Sequence, residues 1–200
     1  MAGTPAGELA RRLGIRTGRV VAPAGLVAVV VAALVFVLPP HSSLAALVLG
    51  IAGVAAFGLG MVRYAGGPWW ALIAALLSGA LLFAALTVGG RGLALHVFGT
   101  AETCDVVHRE EVDTSSRYRH YGFVHTLNCP SGGTFTLRTD STDRQEEGAR
   151  VAVLDDPGGL LEPDFASRHN RYFELVAILG AVALVTATVR FTRSRVRAAS

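Results

Sequence analysis

The stretch that decides the fold is Val20–Leu38, VVAPAGLVAVVVAALVFVL, nineteen residues without a charge or a hydrogen-bonding side chain. Crossing the roughly 30 Å of hydrocarbon in a bilayer takes about 20 apolar residues in a helix. Leu44–Val62 and Trp69–Val88 repeat the pattern without a charged residue. Leu175–Val189 is shorter, and Tyr172, Phe173 and Phe191 extend it towards an interface. The connections after the first two runs, Pro39–Ser43 and Arg63–Pro68, are too short to let these helices serve as the core of a large soluble protein, and no polar helix faces exist to surround them. The sequence therefore predicts four membrane-spanning helices.

The edges of the runs agree. Trp69 and Trp70 open the third and Tyr172 and Phe173 open the fourth, where amphipathic rings favour a headgroup layer. Pro39–Pro40 stops the first, and Pro23 is placed in the first turn of its helix, where proline is tolerated. The first run is too long for a cleaved signal peptide and lacks a small-x-small site, so it reads as an uncleaved anchor.

Composition says the same. The chain is 52% hydrophobic and 16% charged, against about 25% charged in soluble domains, and its mean hydropathy is +0.47. All 18 basic residues are arginine, a usage that points to a GC-rich bacterial genome of the actinobacterial kind. Their positions orient the chain. Arg11, Arg12, Arg16 and Arg19 precede the first run, Arg63 follows the second, and Arg190, Arg193, Arg195 and Arg197 follow the last. Only Arg91, Arg168 and Arg171 flank the other side. Both termini are thus expected in the cytoplasm of a bacterium and the segment 89–171 outside, as a multi-pass plasma-membrane protein. The expected organisation is a basic tail over 1–19, three spans within 20–88 (20–38, 44–62 and 69–88), an outer module over 89–171, a fourth span over 172–191 and a basic tail over 192–200. The net charge of +3 then separates into a basic inside and an acidic outside, and the tails need anionic lipid rather than nucleic acid as their partner.

Within the spans, Ala52, Ala56 and Gly60, and Ala71, Ala75 and Gly79, recur at four-residue spacing. Such stripes let helices approach closely, within one chain, between copies or against an envelope partner. Transport would need ionisable groups inside the membrane or broken helices. The only candidates are His41, in a turn, and Glu174, which reads as an interfacial ion pair with Arg171.

The outer segment reads as β. Tyr121, Phe123, His125 and Leu127 alternate with Gly122, Val124, Thr126 and Asn128. Candidate strands are 101–111, 118–129, 134–140 and 150–154, separated by turns at Pro130–Gly133 and Asp155–Gly159. The expected fold class is an α+β membrane protein, with four transmembrane helices and a small antiparallel sheet or partly open barrel between helices 3 and 4.

Both cysteines fall in this module. A hairpin centred near Ser116 sets Cys104 opposite Cys129 and His108 opposite His125, on one face, and opposed residues in antiparallel strands lie within disulfide reach. A disulfide is the expected state. The competing zinc set of Cys104, His108, His125 and Cys129 fails because four residues along a strand separate the two pairs by about 13 Å. A weaker alternative is a surface metal site at His108 and His125 with His120. For catalysis, Ser115, Ser116 and Ser131 lie in turns without a nucleophile-elbow context. Asp140, Asp143, Glu146 and Glu147 lack calcium-loop spacing and read as a solvated turn. The Arg117–Tyr121 run mixes cations and rings as either a binding loop or a half-exposed strand start would. No catalytic residue and no cofactor is assigned.

Gly99-Thr100-Ala101 leading into Val106-Val107, the aromatic strand at Tyr121–Phe123, Gly132-Gly133-Thr134-Phe135 and above all Gly148–Pro157, GARVAVLDDP, resemble a bacterial membrane-protein family known only as a domain of unknown function. In that family a Gly-x-x-Val-x-Val-x-Tyr-Asp-Pro ending closes a small β module held between spans. The likeness covers roughly 99–163, and this chain departs from it where Leu154-Asp155 replaces the usual Tyr. The resemblance implies the architecture and carries over no catalytic residue. The expected function is a non-enzymatic envelope interaction or accessory role. The alternatives are a metal-binding enzyme or sensor using the module histidines, and an accessory subunit of a transport or secretion assembly.

Overall fold

The computed structural model describes residues 5–39, 42–65, 68–113, 121–131, 133–140 and 144–198. They form two compact units, one from residues 1–91 with 171–200 and one from Gly92–Asn170.

The first unit is helical: α1 (Pro5–Val37), α2 (Ser43–Ala65), α3 (Trp69–Ala84) and, after α4 (Gly90–Phe98), α5 (Arg171–Ala198). Four helices are long and apolar enough to cross a membrane, over Arg16–Val37, Ser43–Ala65, Trp69–Phe98 and Arg171–Arg195. The helix ends correct the sequence reading. Proline at the first helical position starts α1 at Pro5, so the tail over 1–19 is largely helix and Pro23 lies in its interior rather than in its first turn. The tail over 192–200 is likewise helical as far as Ala198. The third helix does not stop at Val88. It passes through a π-helical turn, Ala85–Gly89, into α4. Gly89-Gly90-Arg91-Gly92 looks like a breaker, but Thr87 Oγ1 donates to the carbonyls of Phe83 (2.9 Å) and Ala84 (3.1 Å), occupying acceptors that the π turn frees.

Glycine decides how α1 meets α2. A Cβ on Gly25 would stand 2.7 Å from the Gly53 carbonyl oxygen, and one on Gly60 would stand 2.7 Å from Ala22 Cα. Backbone therefore packs on backbone, with Phe57 and Val29 fully buried alongside. The covered face of α2 runs Ala46, Gly50, Gly53, Phe57, Gly60, Met61. That shifts the predicted stripe, because Ala52 is exposed and Ala56 only half-buried. Ala71, Ala75 and Gly79 of α3 are buried within this chain, and a Cβ added at Gly79 would stand 3.3 Å from the Phe57 ring and 3.6 Å from the Val54 methyls. Arg171 and Glu174, the residues expected to pair, stand in the first turn of α5. Arg171 donates to Tyr172 Oη at 2.9 Å and lies over its ring, while the Glu174 side chain is buried.

The second unit is a five-stranded antiparallel half-barrel sheet in the order β3-β2-β1-β4-β5. Its strands are β1 (Thr100–Asp113), β2 (Tyr121–Asn128), β3 (Thr134–Asp140), β4 (Arg150–Asp155) and β5 (Asp164–Phe165). The first four match the predicted strands to within a few residues. The fifth is too short for periodicity to reveal, and its Phe165 is a main plug of the core with Cys104, Val106, Leu127, Leu137 and Val153.

Replacing Gly25 by valine inserts a branched side chain between two backbones, and overpacking of this kind costs about 1–3 kcal/mol. Thermal unfolding in detergent should show that loss for Gly25→Val. The Gly180→Ala control, with nothing within 4 Å of the added methyl, should be unchanged or slightly stabilised.

Candidate functional site

The chemistry-bearing side chains of the module gather where β1 carries an irregularity. Asp105 faces Asn128 and Val106 faces Leu127, which extends to Cys104 opposite Cys129 as the hairpin register predicts. The structure joins Cys104 and Cys129, 25 residues apart, with Cα atoms 4.3 Å apart and both side chains buried. A bulge between Val106 and His108 then moves the register by one, so that His108 faces Thr126 and Arg109 faces His125.

That single residue undoes the proposed histidine pair. His108 is 67% exposed, with its Nδ1 3.2 Å from Glu147 Oε1. His125 is fully buried on the other face. Its Nε2 accepts the Gln145 amide proton at 3.2 Å, and its Nδ1 lies 3.4 Å from Thr139 Oγ1. Its ring meets Phe165 edge-on at 5.7 Å. His125 therefore works as a core connector, tying the 144–149 segment to the sheet. His120, the third member of the suggested metal set, lies outside the described residues, as do Asp143, Ser115, Ser116 and the hairpin turn. The side chains of Asp140 and Tyr121 are likewise not described.

Glu146 and Glu147 lie exposed, Glu147 in a turn, and Glu147 also bonds across to β1. Its Oε1 accepts the Arg109 amide proton at 2.9 Å, while Arg109 Nη1 reaches the Gln145 carbonyl at 3.4 Å. The Arg109 amide holds the Glu147 carboxyl below its ordinary range, with the His108 charge helping and desolvation opposing. Two more backbone bonds, Gly148 N to Val106 O (2.8 Å) and Val106 N to Ala149 O (2.9 Å), complete a strap across β1 at the bulge. The glycine takes φ +82°, which a side chain would disfavour.

At the other end of β4, Asp156 organises the chain reversal into β5. Its carboxylate accepts amide protons from Gly158 (2.9 Å), Leu160 (2.9 Å) and Leu161 (3.1 Å). These amides hold it below the ordinary aspartate range, the Gly158 bond first. Asp155 beside it moves the other way, raised by burial and then by the charges of Glu102 and Asp156. Within β5, Asp164 Oδ1 accepts the Phe165 amide proton (2.8 Å) and lies 3.4 Å from Arg168 Nη1, with His169 Nε2 3.2 Å from its second oxygen.

Among the described residues, the metal-type ligand atoms that come within 4.8 Å of one another belong to Glu102, Cys104 and Cys129. Both sulfurs are committed to the disulfide, so a four-ligand site with His108 and His125 does not form. Compared with known proteins, the chain matches no family model, no curated protein and no solved structure. The site thus stands on its own geometry: a braced sheet whose polar side chains hold loops. Spacing could have flagged Asp164 with Arg168 four residues on. Nothing local could have flagged Glu147, whose partners lie 38 residues away.

Two outcomes follow. Closing this loop contributes about 3 kcal/mol on the chain-entropy model, so Cys104→Ser should lower the stability of the module by about that amount. The wild-type chain should show no free thiols when denatured without reductant. For Asp156, a lowered carboxyl gives stability that is present above its unfolded-state value and lost as pH falls through the native one. The thermal midpoint of the wild type should exceed that of Asp156→Asn at neutral pH, and the gap should close below about pH 4.

Proposed function

We propose that this chain is a multi-pass bacterial plasma-membrane protein, with both termini in the cytoplasm, that presents its β unit on the outer side as a non-enzymatic docking module. The observation that carries this reading is the outer edge of β3. Among the described residues no strand pairs with it, and β3 is seven residues long in a sheet braced by a disulfide, a strap and a carboxylate-organised turn. A free edge offers main-chain donors and acceptors to an extended segment of another protein, with the alternate side chains setting specificity. Thr134, Thr136 and Arg138 face outward along it while Leu137 and Thr139 face the core. A central arginine also discourages indiscriminate edge-to-edge pairing. The arginine distribution and the cysteine pair support the orientation, since the outside of a bacterial membrane favours disulfides.

The test is made in cells. Protease added to spheroplasts should cleave within the β unit and leave epitope tags at both termini intact until the membrane is permeabilised. A photo-crosslinking side chain at Thr136 should capture a discrete envelope protein, and the same group at exposed Ala152 on interior strand β4 should not. Cleaved tags with a protected module would overturn the topology. Equal labelling from both positions, or none from Thr136, would overturn the docking edge.

A further inference from the structure

A cavity of about 470 Å³ opens among α1, α2 and α5 of the helical unit. It lies where the first candidate span begins and the second and fourth end: Arg19 is near the start of Arg16–Val37, Tyr64 near the end of Ser43–Ala65 and Arg193 near the end of Arg171–Arg195. The deep wall is Phe57 and Met61, both buried, continued by Leu26 and Val189. The rim carries Arg19 and Arg193, both exposed. Arg19 stands over the Tyr64 ring, 5.9 Å from its centroid, which holds the guanidinium at the opening. Pro23 also lines the cavity, and having no amide it removes the α-helical donor of the Arg19 carbonyl.

We propose that this cavity is a site for one anionic phospholipid, its phosphate held between Arg19 and Arg193 and its chain-proximal part lying along Leu26, Phe57 and Val189. Three features of the site select this ligand. Among the described residues no carboxylate pairs with either arginine, so two positive charges from helices far apart in sequence line one cavity without a carboxylate partner. Guanidinium presents its donors in a planar fork that matches phosphate oxygens. The apolar wall admits a lipid body, whereas free phosphate would meet only the rim. A zwitterionic headgroup brings a second cation into the same cluster and is disfavoured. Ala22, which Gly60 meets where α1 closes on α2, also lines the cavity, so the site adjoins that helix packing.

The proposal rests on the reading of the helices as membrane-embedded, and its test keeps the two apart. Membranes carrying the full-length chain are washed with alkaline carbonate, and release of the protein would overturn the embedding and the site with it. The retained protein is purified in detergent, delipidated, and titrated with phosphatidylglycerol or phosphatidylcholine of identical chains, bound lipid being counted by native mass spectrometry. One phosphatidylglycerol should bind per chain, about tenfold more tightly than phosphatidylcholine, and glycerol phosphate should not compete at equal concentration. Arg19→Gln/Arg193→Gln should lose that preference, and so should Leu26→Trp, which fills the wall. Arg190→Gln/Arg195→Gln removes the same charge from the same end of α5 without touching the cavity and should keep the preference. If both double variants lose it equally, the attraction is diffuse and the site is refuted. Equal binding of the two lipids by the wild type, or displacement by glycerol phosphate, refutes it too. Unchanged far-ultraviolet circular dichroism of each variant shows that it is folded.

Discussion

The helical unit closes its peptide hydrogen bonds within four helices that are long and apolar enough to cross a membrane, a setting in which peptide groups have only one another to bond. Its hydroxyls do the same. Ser78, Thr87, Thr186, Thr188 and Thr192 each turn back onto a carbonyl three or four residues earlier in their own helix, which satisfies these hydroxyls locally. With hydrogen bonding closed inside each helix, what remains to hold helices together is contact, and contact is greatest where side chains are smallest. Gly25 against Gly53 and Gly60 against Ala22 bring α1 and α2 to backbone distance, and Phe57 fills the space beside them. The same close approach leaves a hollow at one end, where two arginines gather.

The β unit meets the opposite difficulty. Its core holds few residues, with Val106, Leu127, Val153 and Phe165 at its centre, and a sheet this small buries too little apolar surface to be secure. Three devices add to it. The cysteine pair ties β1 to the end of β2. The Glu147 strap bonds across the bulge in β1. Asp156 gathers three amides at the reversal that returns β5 and its phenylalanine to the core. Every one of these polar groups serves the fold. Among the described residues no strand pairs with the far edge of β3, and the proposed docking role rests on that edge.

The legible and illegible features differ in the range of the interaction that makes them. Apolar helices, strands and the cysteine pairing were readable because each depends on composition or on period within a short stretch, the cysteines being 25 residues apart. The helix ends were not: α1 starts well before Pro23, and Gly89-Gly90, which looks like a breaker locally, continues as helix beside the Thr87 hydroxyl-to-carbonyl bonds. The histidine pair failed for a sharper reason. One extra residue at Val107 flips everything beyond it to the other face of the sheet, so a register correct at Cys104 is wrong at His108.

By itself, then, the amino-acid order determined which segments are apolar helix and which are alternating strand, and where the positive charge lies along the chain, because these are properties of neighbours. Tertiary structure alone decided which face of α2 is covered, that His125 is a buried connector while His108 is exposed, and that Glu147 clasps β1. It also decided that Arg19 and Arg193 share one cavity. Each of those depends on a distance between residues remote in sequence, and such a distance is set only when backbones pack to contact and a bulge shifts the register.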